Sequence, residues 1–297
     1  MEDRDIHARV SSWDRYVQIR QLNPAPFAAY VKLGSLTLLS TSPERFMCWS
    51  RFDPHCAMKG ENGSWLASTV QFRPIKGTLK KKQTATNGEV RYFTHEQATA
   101  LLSVQKERAE NLMIVDLIRH DLNTVVRSGD VNVKGLMVVE EYESIYQLVS
   151  VIEAKLFMPS HARPSSLSCS QNSKSTPHLS NLATTGIDVF AASLPPGSMT
   201  GAPKRRSCQL LQEIEGYKAR SVYLGVLGYK CVSGKGDFSV VIRSAFKWAK
   251  SGQDDEQQEE WRIGAGGAVT SLSTEEGEWE EMLTKLHSTL GVFTRNS

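Results

Sequence analysis

An α+β fold is predicted by three observations. Segments rich in β-branched residues and segments with helical spacing are both present, but they do not alternate strand by helix as a doubly wound sheet requires. No stretch recurs at a fixed period. The 297 residues, 40% of them hydrophobic, are enough for one large domain or two small ones.

The elements follow in order. "FAAYVKLGSLTLLS" (27–40) reads as two apolar strands around a turn at Gly34 and Ser35. Residues 50–72 show no regular pattern. Thr94 and Gln97 form a capping box that opens one long helix, in which "ALLSVQKERAENLMIVDLIRHDL" carries apolar residues at helical spacing. The β-branched run 131–156 predicts strands. Ser, Pro and Asn dominate 158–186, which reads as a surface insertion without a core. "PPGSMTGAPK" (195–204) is a Gly-rich turn leading into a helix with Pro203 near its first position and Gly216 after its end. "SVYLGVLGYKC", "FSVVIRSAFKW" and "WRIGAGGAV" are three strand candidates, the last two separated by the acidic loop "SGQDDEQQEE". A final helix is predicted from a capping box at Ser273 and Glu276 to about Leu290, with Trp279, Met282, Leu283, Leu286 and Leu290 as its apolar stripe.

Bulk properties exclude several classes. The 35 basic residues barely exceed the 32 acidic ones, so a nucleic-acid binder is not expected. The five cysteines (48, 56, 169, 208 and 231) form no CxxC pair, which argues against a zinc knuckle or a disulfide scaffold. No apolar run approaches the roughly 20 residues of a membrane span, and the charged start "MEDRDIHARV" is unlike a signal peptide. A soluble cytoplasmic protein is the expectation.

Several residues admit both a chemical and a structural reading. Glu110 lies on the long helix, and Glu278 and Glu281 lie three apart on the last one, so they occupy one face. Such carboxylates suit Mg²⁺, and they equally suit a solvated helix surface. The turn 195–204 fails the P-loop pattern, yet a turn feeding a helix N-terminus offers free N–H groups to an anion. The glycine run 263–269 is either a tight bend or a place of close ligand approach. Arg243, read as a mid-strand residue, would grip a carboxylate or serve an internal ion pair. Lys76 in "RPIKGTLKKK" is flanked by less polar neighbours than Lys80–Lys82, and is either a strand-end cation or an amine nucleophile.

Taken together, "SPERF" (42–46), "PIKGT" (74–78), "RAENLMIVDLIRHDL" (108–122), "LVS" (148–150), "PPGSMTGAPK" (195–204), "LGYK" (227–230), "VIRSAF" (241–246), "GAGGAV" (264–269) and "EWEEMLTK" (278–285) resemble, in order, the motifs of the chorismate-utilising enzymes. The resemblance covers residues 13–290 as one catalytic domain, interrupted by the 158–186 insertion. It implies two facing, largely antiparallel sheets surrounded by helices. It implies Mg²⁺ on Glu110, Glu278 and Glu281. Arg243 and Tyr229 are implied to hold the enolpyruvyl carboxylate with the backbone of Gly264, Ala265, Gly266 and Gly267, and Thr200 and Lys204 to form the substrate-side turn.

"PIKGT" resembles the aminodeoxychorismate synthase branch, whereas the anthranilate synthases resemble "PIAGT" at this point. The branch implies Lys76 as nucleophile on chorismate, Glu44 as general acid, and ammonia from a glutaminase subunit or a fused glutaminase domain. Two motif positions depart from the pattern. Gln147 stands before "LVS" in place of the usual histidine and cannot shuttle a proton near neutral pH. His120 stands in place of asparagine in "RHD". The resemblance also implies further residues ahead of "NPAPF", so that this chain is expected to be N-terminally truncated.

Overall fold

The computed structural model describes residues 10–60, 63–84, 88–127, 129–143, 145–159, 184–249 and 260–294. Most of the Ser-rich 158–186 stretch and of the acidic loop lies outside the described residues. In chain order the elements are α1 (Ser12–Leu22), β1 (Phe27–Leu33), β2 (Leu36–Ser42), β3 (Arg45–Trp49), β4 (Asp53–Gly60), β5 (Gly63–Phe72), β6 (Ile75–Lys80), β7 (Lys82–Thr84), β8 (Val90–Tyr92), α2 (His95–Leu102) and α3 (Gln105–Asn123). There follow β9 (Val131–Glu141), β10 (Ile145–Pro159), α4 (Gly186–Ser193), a 3-10 turn (Gly197–Met199), α5 (Lys204–Ile214), β11 (Val226–Lys230), β12 (Gly236–Val240), β13 (Ser244–Trp248), β14 (Arg262–Ile263) and α6 (Glu275–Thr294). Mixed helices and antiparallel sheets make the fold α+β, as the irregular order of the elements predicts.

The chain divides into two units. The first comprises Met1–Glu44, Ala219–Leu227 and Ser239–Ser297, and the second Arg45–Lys218 and Gly228–Phe238.

The first unit holds a four-stranded sheet in the order β1-β2-β13-β14, with every pairing antiparallel. The hairpin β1–β2 turns at Gly34 and Ser35, where the sequence places it. Successive residues of β2 face opposite sides of the sheet. Leu39 packs with Tyr16, Ile19 and Val292, and Leu38 packs with Val241 and Phe246. Helix α1 starts where Ser11 accepts the Asp14 amide, and Asn23 at its end donates to the Ser288 carbonyl on α6.

The second unit is built on the eight-stranded sheet, whose path runs β11-β12-β3-β5-β10-β6 with β4 on β5 and β9 on β10. The 15-residue β10 is its spine: β6 and β5 lie end to end along one edge, and β9 lies along the other. Residues 50–72 therefore do form strands. Their lack of visible pattern has a physical counterpart in the register shift between β4 and β5 after Asp53. Trp49 is clamped by glycines, since a Cβ at Gly186 or Gly236 would lie 2.4 or 2.2 Å from its ring.

Four further expectations are corrected. The long helix is two, because the chain leaves helical geometry at Ser103 and Val104, both weaker helix formers than their neighbours. The Thr94 capping box is present. The final helix is capped by Thr274, whose side chain accepts the Gly277 amide, while Ser273 bonds the Glu278 carboxylate instead. The predicted stripe fails at Trp279, which is 60% exposed, and the buried residues of α6 are Glu278, Thr289 and Val292. "FSVVIRSAFKW" is two strands, interrupted by Arg243 with φ of 50°.

Candidate active site

In the second unit, candidate site residues are concentrated where β6 meets β10. Thr78 pairs with Gln147 and Ile75 with Val149, so Lys76 and Gly77 together oppose the single residue Leu148. This is a β-bulge, a device that re-aims a side chain out of the regular alternation. Gly77 makes it possible. Its φ is 78°, and a Cβ there would lie 3.1 Å from Leu102 and 3.2 Å from the Glu107 carboxylate. The bulge leaves Lys76 only 15% exposed, with Nζ 3.3 Å from Oε2 of Glu110 on α3. Oε1 of Glu110 is buried and accepts no hydrogen bond among the described residues. Upstream, Arg73 Nη2 holds both carboxylate oxygens of Glu140 at 2.6 Å, which fixes the approach to β6. Lys81 and Lys82, by contrast, lie over the rings of Tyr146 and Tyr92, and Lys81 pairs with the exposed Glu141.

Gln147 is buried beside this bulge, and its Nε2 donates to Thr78 Oγ1 at 3.4 Å. Thr200 turns its hydroxyl back to the Pro196 and Gly197 carbonyls. Lys204 is more thoroughly engaged. Its ammonium donates to Asp121 at 2.6 Å and to the Ser193 carbonyl at 3.1 Å, joining the start of α5 to the ends of α3 and α4. Burial raises the Asp121 carboxyl above its ordinary range, against the opposing pull of Lys204 and His120. Lys204 thus braces the 195–204 turn from within. Tyr229 stands on β11 and is 64% exposed.

In the first unit, Glu44 is buried just after β2. Its backbone amide donates to Ser42 Oγ and its carbonyl accepts from the Val240 amide. Arg243 is not the mid-strand residue predicted. Its left-handed backbone carries the chain from β12 to β13, and its carbonyl is caught twice by Thr41, from the amide at 3.2 Å and the hydroxyl at 2.9 Å. Nη1 hydrogen-bonds Ser288, and burial draws the guanidinium below its ordinary value, partly offset by Glu281 and Tyr223. A desolvated cation of this kind is suited to a carboxylate ligand.

The run 264–267 lies past β14 and has no strand ladder. Close packing holds it instead: a Cβ on Gly264 would fall 2.3 Å from the Tyr223 ring, and one on Gly267 would fall 2.8 Å from Oε2 of Glu278. The Gly266 carbonyl accepts from Lys285, which also pairs with Glu281 at 2.6 Å. Helix α6 therefore presents Glu278, Glu281, Lys285 and Ser288 along one side, toward the glycine run and Arg243. Tyr223 and Lys285 were not singled out as site residues. The glycine run itself was the available signal, because glycines in series mark a surface that something approaches closely.

Hard cations such as Mg²⁺ take carboxylate oxygens. The buried Glu110, with one oxygen free of hydrogen bonds, fits that donor chemistry, and Glu278 is likewise a buried carboxylate. No three His, Cys, Asp or Glu side chains gather into one group among the described residues. Glu110 belongs to the second unit, and Glu278 and Glu281 to the first.

Comparison with known proteins gives these arrangements a family. Aminodeoxychorismate synthase of Saccharomyces cerevisiae is 40% identical over 305 residues, covering 96% of this chain and 32% of the relative. Aminodeoxychorismate synthase component 1 of Escherichia coli is 34% identical over 287 residues, covering 96% of this chain and 51% of the relative. The chain thus spans between about a quarter and a half of the length of the curated relatives it matches. The crystal structure of anthranilate synthase component I from Streptococcus pneumoniae superposes with a TM-score of 0.63 at 25% identity, covering 94% of this chain and 49% of that one. The profile described as chorismate binding enzyme matches residues 3–163 and 179–291, which take in the bulged lysine, the α3 carboxylate and the glycine run alike, and the chain belongs to that family.

Proposed function

We propose that this chain is the chorismate-binding catalytic part of an aminodeoxychorismate synthase, converting chorismate and ammonia to 4-amino-4-deoxychorismate and water. The observation that carries this reading is the bulge that turns a mostly buried Lys76 toward Glu110. An amine attacks only when neutral. Glu110 Oε2 lies 3.3 Å from Nζ and positions it. Lys76 then bonds to C2 of the ring as the C4–O bond breaks, and Glu44 donates the proton that lets the hydroxyl leave as water. Ammonia bonds to C4 as the bond from C2 to Lys76 breaks, which frees the amine, and the ammonium so formed at C4 returns a proton to Glu44.

Arg243, Tyr229 and the backbone of Gly264–Gly267 hold the enolpyruvyl carboxylate. Thr200 contributes to the substrate-side turn, and Lys204 shapes that turn through Asp121. Gln147 holds Thr78 in place and transfers no proton. Family resemblance assigns Mg²⁺ to Glu110 in the second unit and to Glu278 and Glu281 in the first, of which the buried Glu110 fits best; the ion when bound would anchor the ring carboxylate and stabilise charge on the departing oxygen. Ammonia is supplied by a glutaminase, a separate subunit or a fused domain, consistent with the name component 1 of the Escherichia coli relative. No helix of the described residues is long and apolar enough to cross a membrane, in keeping with a cytoplasmic enzyme.

The test supplies the chain with chorismate, Mg²⁺ and ammonium. The expected result is 4-aminobenzoate only when aminodeoxychorismate lyase is added, and none from Lys76→Ala. The structural likeness to an anthranilate synthase component I makes anthranilate the competing product, and its direct fluorescence would overturn the proposal. Absence of either product would instead support a chain that is inactive by itself.

A further inference from the structure

We infer that Ser150 is a positioning residue that sets the separation of Lys76 and Glu110. This deepens the reading of Lys76 as nucleophile and rests on it. Ser150 is fully buried in β10. Its amide donates to the Pro74 carbonyl at 3.2 Å, two residues before Lys76. Its Oγ accepts the Met137 amide at 2.9 Å and donates to Oδ1 of Asn111, the residue after Glu110 on α3. One small side chain and its own backbone thus touch the residue that leads into the strand of the amine and the helix that carries the carboxylate.

The surroundings reinforce the assignment. Ser150 lies between two departures from strand register. On one side of β10 is the Lys76–Gly77 bulge. On the other the pairing of β9 shifts between Val149 and Val151, near Met137 with φ of 54°. Each irregularity leaves a backbone group without its usual ladder partner, and Ser150 Oγ takes up the Met137 amide. Asn111 is fully buried, yet its Nδ2 has no hydrogen bond among the described residues. A buried amide with an unmet donor contributes little to stability. What its bond to Ser150 does accomplish is to fix the rotation of α3 beside β6.

The test compares Ser150→Ala, Ser150→Cys and Asn111→Leu in the full chain by steady-state kinetics and crystallography. Cysteine keeps the shape of serine at a slightly larger size, with weaker hydrogen bonding, so it serves if the alanine variant does not fold. In Ser150→Ala the expected loss is about 10²-fold in kcat, the scale of an ångström-sized misplacement, with KM changed less than about twofold. Ser150→Cys is expected to fall between it and the parent, and the Lys76–Glu110 separation to lengthen beyond the 3.3 Å of the parent. The Ser150 and Asn111 effects should be non-additive in the double variant, because the two residues act through one bond. An unchanged separation in folded variants, or a loss expressed in KM alone, overturns the inference. If Lys76→Ala keeps full activity while Ser150→Ala still opens the pair, the positioning stands and the nucleophile assignment fails.

Discussion

The two units hold their candidate residues by different means. In the second, Lys76, Glu110, Gln147 and Ser150 sit on hydrogen-bonded strands and a helix, and a bulge in the ladder displays the Lys76 amine. In the first, the 264–267 run has left the sheet after Ile263, and the Tyr223 ring, the Glu278 carboxylate and the Lys285 ammonium hold it in place. A ladder tolerates the loss of a side chain because the backbone keeps its own partners. A segment held by side-chain contacts and one hydrogen bond is deformed by a single added methyl group.

Lys76→Ala should produce the largest effect and the clearest contrast, lowering product formation on the order of 10³-fold or more while circular dichroism stays unchanged. Lys204→Met comes next, and acts on stability. It leaves Asp121 without its cation and should cost about 2–3 kcal/mol by denaturant unfolding, less than for a fully buried pair because both groups keep some exposure. The Asp121 carboxyl has a raised folded-state value, from burial foremost. Its favourable contribution is therefore complete below the unfolded value and declines as pH rises through the folded one. Asp121→Asn should remove that decline from the acid side of the stability profile.

Arg243→Ala should raise KM for chorismate about 10- to 100-fold, the worth of a hydrogen bond to a charged group, with kcat little affected. Gly264→Ala should lower stability by about 1–3 kcal/mol through overpacking against Tyr223. If it did not, the first unit would be less dependent on contact than the comparison holds. Smallest of all, Lys81→Met should leave the thermal midpoint unchanged, since its partner Glu141 is exposed.

What could be read without coordinates was local. The Thr94 cap follows from side chains that act three residues away, and the turn at Gly34 from a glycine free to take a φ of 56°, and both are present. The break at Ser103–Val104 was invisible because helical periodicity runs straight through it. The backbone at Arg243 was equally hidden, since a left-handed arginine is stabilised by Thr41, some 200 residues distant. Trp279 misled for another reason. Apolar periodicity assumes that the buried face of a helix is greasy, whereas α6 buries a carboxylate and exposes the indole. Family likeness pointed to most of the candidate residues, but the Lys76–Glu110 pair, the Lys204–Asp121 brace and the Ser150 junction required the folded chain.

The bulge at Lys76–Gly77 has a consequence for how such enzymes diverge. Its shape is dictated by the extra residue and by the glycine, and owes nothing to the amine it displays. A lysine there is replaceable by alanine without a change of strand register, since neither the extra residue nor Gly77 is altered. Under the proposed mechanism one codon would then add or withdraw the covalent step, while the backbone that displays it stays the same.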